Sequence, residues 1–333
     1  INFSSNNAPL RLLPLIVFSG ASFGGVSWAT NTDITTGITI TGATSFTSLA
    51  FPTKTSSGSS AISFDNNVTI SGNLSFNGSA TKTNRVVVTP LVAGNGGVTI
   101  SAGSISGLQN IDFIRIDANG AVIPWSGTDL GNGGGNTDIT FNAGANKYWN
   151  LPAGGNWNST AWASSSGGSP TAADFPLLQE NAIIEDTGLT SGSTITFNSI
   201  YYLPSIDSST RTLPFTFALS SNVFCTRDIN FSTATSTTGS TFNFSGGALQ
   251  NITLASALSR NVAISSPEVR LQPASTFAGS FTGTVTLTSG NFNLNGSVVD
   301  IATFTCNAAN NTQNVDFSSA ARMNLTSLTG TPL

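Results

Sequence analysis

Apolar residues alternate with Ser, Thr or Asn along most of this chain, and few stretches carry helical spacing, so the pattern predicts strands. Seven segments share one spelling: Ile38-Thr39-Ile40-Thr41, Val68-Thr69-Ile70-Ser71, Val98-Thr99-Ile100-Ser101, Ile139-Thr140-Phe141-Asn142, Ile195-Thr196-Phe197-Asn198, Ile252-Thr253-Leu254-Ala255 and Val285-Thr286-Leu287-Thr288. Each sends two apolar side chains to one face and two polar ones to the other. The first three begin at 38, 68 and 98, an interval of 30 residues met twice, and later copies drift wider. Self-similarity at such a period marks a solenoid or an array.

A second element follows the first in two places. The text from Val68 to Ser79 aligns with that from Val285 to Ser297 after one inserted residue, reading strand, Gly/Asn corner, strand, Asn-Gly corner. Thr241 to Gly247 repeats the second half. Gly and Asn accept positive φ at low steric cost, which places sharp bends at those corners. Stacked coils and a meander of hairpins both fit. Short strands recurring every 7 to 10 residues across 250–328, with Ser-Gly and Ser-Ser-Pro corners as well as Asn-Gly, favour coils. The expected fold is all-β, a parallel β-solenoid, with a β-sandwich array as the alternative. Ile38, Ile40, Val68, Ile70, Val98, Ile100, Val285 and Leu287 are the expected inward positions.

The pattern breaks between Gly131 and Pro176, where a Gly-rich stretch is followed by Lys147-Tyr148-Trp149, Trp157 and Trp162. This divides the chain into an N-terminal β-repeat unit, 1–130, a Gly/Trp-rich connecting module, 131–186, and a C-terminal β-repeat unit, 187–333. Trp149, Trp157 and Trp162 could stack on sugar rings, since a flat apolar face with a polar rim suits a pyranose. The favoured reading is that they plug the end of a β unit, because a terminal coil needs its core covered.

Composition narrows the chemistry. The 333 residues are enough to bury a sizeable core, yet only 8% are charged, against about a quarter in ordinary soluble proteins. Ser (47), Thr (45), Asn (34) and Gly (34) make up nearly half the chain, so uncharged polar groups dominate its surface. A net charge of −4 argues against a nucleic-acid partner. There is no His, which excludes Ser-His-Asp and Cys-His sites, zinc fingers and HExxH centres within one chain. The three lysines, Lys54, Lys82 and Lys147, follow no phosphate-binding loop. Cys225 and Cys306 fall outside any CxxC pattern and read as buried, reduced small hydrophobes. The run Leu10 to Phe18 is too short to span a bilayer and reads as a buried strand. A chain starting at Ile1 without Met reads as a processed product or a fragment.

Carboxylates are the only plausible catalysts left. Asp174, Glu180, Glu185 and Asp186 cluster beside the tryptophans, where a glycan cleft is conceivable, but solvated turns explain them better. Asp112 and Asp117 flank Arg115 in an alternating run and read as an outward ion-pair row. Asp117, Asp129 and Asp138 match no calcium-loop spacing. No catalytic residue, metal site or cofactor is expected.

One stretch carries a resemblance: Tyr148-Trp149, Gly154-Gly155-Asn156-Trp157-Asn158, Trp162 to Gly168, Pro170-Thr171-Ala172, Asp174 and Ala182-Ile183-Ile184-Glu185-Asp186. It resembles a module of phage virion proteins, especially of marine tailed phages, and of some large bacterial surface proteins. The text from Thr286 to Phe317 is similar to the strand-rich repeats that follow it there. Together these cover roughly half the chain, which departs from the pattern by inserting Phe175 to Glu180. The resemblance implies a virion structural protein, a subunit of a fibre, spike or appendage with a mechanical and host-adhesion role, and transfers no catalytic residue. Its expected partners are copies of itself, as a homo-oligomer and in such fibres commonly a trimer, other virion proteins and a host-surface glycan, without membrane insertion. The alternatives are a bacterial extracellular adhesin or surface-layer protein, and a polysaccharide-degrading spike using carboxylates.

Overall fold

The structure, a computed structural model, describes residues 2–3, 16–18, 23–28, 33–34, 37–42, 45–91, 96–272, 279–306, 312–317 and 321–330. Among them strands alternate with turns, and the one helical element is a 3-10 turn, Ala172–Asp174. The chain divides into two compact units, Ile1–Ala143 and Gly144–Leu333. The Gly/Trp-rich stretch is shared, with 131–143 in the first unit and 144–186 in the second.

The first unit is a parallel β-solenoid of two six-stranded sheets. Successive strands alternate between the sheets, so each pair of strands makes one coil. Every inward position expected from the sequence in this unit is buried, and these residues share one core with Phe46, Phe64, Phe76, Phe113 and Trp125. The aromatic rings run on from coil to coil, Phe51 stacking on Phe76 at 5.6 Å and Phe76 meeting Phe113 edge-on at 6.0 Å.

The 30-residue interval is a coil only from Val68 to Val98, which open neighbouring strands of one sheet. Ile38 lies beside Ile62 and Ile62 beside Val88, whereas Val68 belongs to the opposite sheet and pairs with Ile100. The shared spelling recurs because every half-buried strand needs the same alternation, whichever sheet it joins. The expected corner at Gly72-Asn73 is also absent: Val68–Ser75 is a single strand whose register shifts between Ile70 and Asn73. A Cβ at Gly72 would lie 2.7 Å from the Thr47 carbonyl oxygen, so glycine there permits close coil stacking. The aligned text at 285–297 does turn, because its inserted residue supplies a corner at Gly290, at φ 81°, between Phe281–Leu287 and Gly290–Asn293.

The second unit is a parallel solenoid that starts with three faces. Asn181–Ile183, Thr194–Phe197 and Tyr201–Leu203 form one coil, and Ser205–Asp207, Phe215–Leu219 and Val223–Cys225 stack directly on it. The four-stranded face ends at Thr235–Gly239, while the nine-stranded and seven-stranded faces continue to Gln313–Asp316 and Arg322–Gly330. Val285 and Leu287 are buried in this core.

Side-chain amides tie the coils together at their corners. Asn77 (φ 43°) and Asn295 (φ 47°) take the left-handed conformation expected at Asn-Gly. The Asn77 Nδ2 donates to the Phe51 carbonyl at 2.7 Å, and that of Asn295 to the Leu271 carbonyl at 3.1 Å. Asn110 reaches the Ser79 carbonyl at 2.7 Å and Gln250 the Cys225 carbonyl at 2.8 Å in the same way. The Asn-rich composition thus supplies donors where backbone carbonyls leave the ladder.

Candidate functional site

The Gly/Trp-rich region opens the second unit. Asn146–Trp149 pairs in parallel with Asn181–Ile183, and Trp162–Ala163 folds back antiparallel on its other edge, with Trp149 opposite Trp162. This closing strand is the last of the nine-stranded face, so it covers the edge an ordinary coil would leave open. All three tryptophans are at most 1% exposed. Trp162 meets Trp149 edge-on at 5.3 Å and Trp157 at 4.8 Å, while Trp157 packs against Phe197 at 4.8 Å. Two of the indole nitrogens are used internally, Trp149 donating to the Leu151 carbonyl at 3.0 Å and Trp162 to that of Trp157 at 3.1 Å. No ring face is open to solution, so the sugar-stacking assignment of Trp149, Trp157 and Trp162 is replaced by an end plug. The physical reason is area: only a set of large aromatics fills the terminal cross-section of the core.

The four nearby carboxylates form two groups, each with its own cation. Asp174 pairs with Lys147, Nζ to Oδ1 at 2.7 Å, and accepts the Thr171 hydroxyl at 2.9 Å. Glu180 accepts the Leu177 amide at 2.7 Å and places its other oxygen 4.0 Å from the same Lys147 Nζ. Glu185 accepts the Ser166 hydroxyl at 2.6 Å. Asp186 takes the Thr212 hydroxyl and the amides of Thr212 and Leu213, with Arg211 at 3.4 Å. The Thr212 hydroxyl, first among these partners, holds the Asp186 carboxyl below its ordinary range. Arg211 is buried, bonded to the carbonyls of Glu185 (2.7 Å) and Thr190 (3.2 Å), and lies over the Phe215 ring at 4.9 Å.

The outward row expected around Arg115 is not formed. Asp112 is fully buried and bonds Arg85, whose Nε lies 2.8 and 2.7 Å from the two carboxylate oxygens. Arg85 also reaches the Asp129 carbonyl at 2.7 Å, and Lys82 stands 3.5 Å from the Asp129 carboxylate. Arg115 turns inward at φ 53°, and burial pushes its pKa down to about 10. Asp117 accepts hydroxyls from Thr99 and Thr137. Arg85 went unnoticed in the sequence. Its only signal is a cation directly before the apolar run Val86-Val87-Val88 of the strand Asn84–Pro90.

Two shallow depressions lie on the second unit. One of about 470 Å³ is lined by Asp228, Asn230, Asn251, Thr253 and Gln272, and one of about 300 Å³ is lined by Asp300, Phe281 and Asn324 among others. Each holds one carboxylate. The pair that glycoside hydrolysis uses is found in neither. Among the described residues no group of three or more Cys, Asp or Glu could hold a metal ion, and no helix is long and apolar enough to cross a membrane. Cys225 and Cys306 are both buried and free, and burial pushes both thiols up. Of the apolar run at 10–18, Ile16–Phe18 is a strand and the rest lies outside the described residues. No family model, curated protein or solved structure matches this chain.

Proposed function

We propose that the protein is a structural subunit of a phage fibre, spike or appendage, carrying load and presenting polar β faces to a host surface. The observation that supports this reading best is the continuous nine-stranded face of the second unit, eight strands in parallel and the ninth closing one edge antiparallel over a tryptophan plug. Such a body resists shear through its backbone ladders and uses its faces, not a pocket, for contact. The outer positions of that face are polar or charged in successive coils, in three short registers: Asp207, Asn230 and Thr253; Asn251, Arg270, Asn293 and Asp316; and Glu268, Asn291 and Asn314. Amides, carboxylates and hydroxyls repeated from coil to coil suit multivalent hydrogen bonding to a repeating glycan, in which each coil adds a weak contact. The resemblance of 148–186 to phage virion modules points the same way.

Gold-labelled antibody against the purified protein, applied to particles and to host cells, tests the proposal by electron microscopy. Label on an appendage of the particle is expected. Label confined to uninfected cell surfaces would overturn it in favour of a bacterial adhesin. Shortened host polysaccharide after incubation with the protein would overturn the non-enzymatic part.

A further inference from the structure

The geometry points to an intramolecular isopeptide bond between Lys147 and Asp174, assisted by Glu180. Lys147 lies on the first strand of the second unit, Asn146–Trp149, and Asp174 ends the 3-10 turn Ala172–Asp174. The Lys147 and Asp174 side chains are only 12% and 16% exposed, and that of Glu180 8%. Lys147 Nζ sits 2.7 Å from Asp174 Oδ1 and 4.0 Å from Glu180 Oε1. The other oxygen of each acid is fixed: Asp174 Oδ2 accepts the Thr171 hydroxyl at 2.9 Å, and Glu180 Oε2 the Leu177 amide at 2.7 Å. A hydrogen bond to Oδ1 therefore holds the amine one bond away from the carboxyl carbon it would attack, with a second carboxylate beside it as proton carrier.

In the reaction the Nζ–Cγ bond forms and one Cγ–O bond of Asp174 breaks. Two of the three ammonium protons leave with that oxygen as water, and the third stays on the amide nitrogen. Glu180 takes a proton from Nζ, hands it to the departing oxygen and ends unchanged. Charge balances, because an ammonium and a carboxylate become a neutral amide, and no oxidant or cofactor is needed. Three features favour the bond here over free solution. The reacting groups are held in contact, which replaces a bimolecular encounter. The site is largely dry, so the released water is lost and hydrolysis is slow. Converting a mostly buried ion pair into an amide also removes the desolvation cost of both charges. The link would close the chain around Trp157 and Trp162, locking the plug onto the first coil.

The test is the intact mass of the folded protein together with tryptic mapping. A mass lower than the sequence mass by one water is expected, with Lys147 and Asp174 in one branched peptide that trypsin does not cut at Lys147. Lys147→Arg and Glu180→Gln are expected at full mass with an unchanged far-UV spectrum. Asp174→Asn is expected to lose ammonia instead and reach the same joined mass. A parent protein that stays at full mass after prolonged incubation would overturn the proposal. So would a water loss that persists in Lys147→Arg, since Asp ring closure on the backbone gives the same mass change without lysine.

Discussion

Trp162→Ala is the most direct probe of the end plug. The parent indole is wholly buried, contacts Trp149 and Trp157 with centroids at 5.3 and 4.8 Å, and donates to the Trp157 carbonyl at 3.1 Å. Truncating a buried tryptophan removes its transfer energy and opens a cavity, together about 3–5 kcal/mol. Loss of two edge-on ring contacts and of a donor to a buried carbonyl places this site at the upper end, about 5 kcal/mol. With a urea slope of about 2–3 kcal/mol per M, the unfolding midpoint falls by roughly 2 M. Urea unfolding followed by circular dichroism reads the midpoint, and tryptophan emission reports whether Trp149 and Trp157 become wet. Trp162→Phe keeps a ring and loses the donor, so it costs about 1–2 kcal/mol. A midpoint for Trp162→Ala within about 0.3 M of the parent, with unshifted emission, would refute the assignment of these rings to the core.

Three further outcomes follow from the described contacts. Asp112→Ala strands the buried Arg85 guanidinium and costs about 3–5 kcal/mol, while the double change Arg85→Met with Asp112→Leu regains most of it; equal losses in both would contradict the account of this pair. Gly290→Ala puts a Cβ 1.8 Å from the Ser266 carbonyl at φ 81° and lowers stability by about 1–3 kcal/mol; an unchanged melting temperature would show that the corner is not stacked as described. Asp186 has a folded pKa below its ordinary 3.8, so its ionised form adds stability above that value and the contribution disappears as pH falls through the folded pKa; Asp186→Asn is expected to flatten the stability profile in that acid window, and parallel profiles would exclude the Thr212 contacts as its cause.

The fold was largely legible because strand alternation is written locally: Ile38, Ile40, Val68, Ile70, Val98, Ile100, Val285 and Leu287 are all buried as their spelling implies. Corners were legible where Asn or Gly must take positive φ, as at Asn77 and Asn295. Which strand stacks on which was not, because Ile38 and Val68 carry the same two-by-two pattern while belonging to different sheets. The loss of the third face after Thr235–Gly239 has no local signature either, since it depends on how much chain each coil spends between corners. At the candidate site the tryptophans announced a special region, but burial decided what they do there. The partnerships of Arg85 with Asp112 and of Lys147 with Asp174 join residues 27 positions apart, beyond the reach of any periodicity argument.

The corner amides have a mechanical corollary. Each joins a turn only to its immediate predecessor, as Asn295 does to Leu271 and Asn77 to Phe51, whereas Arg85 reaches across a layer to the Asp129 carbonyl. Under tension or heat, damage in such a stack spreads like an opening zip, one layer releasing the next from whichever terminus is weaker. A welded first layer would then leave the opposite terminus as the place where failure begins.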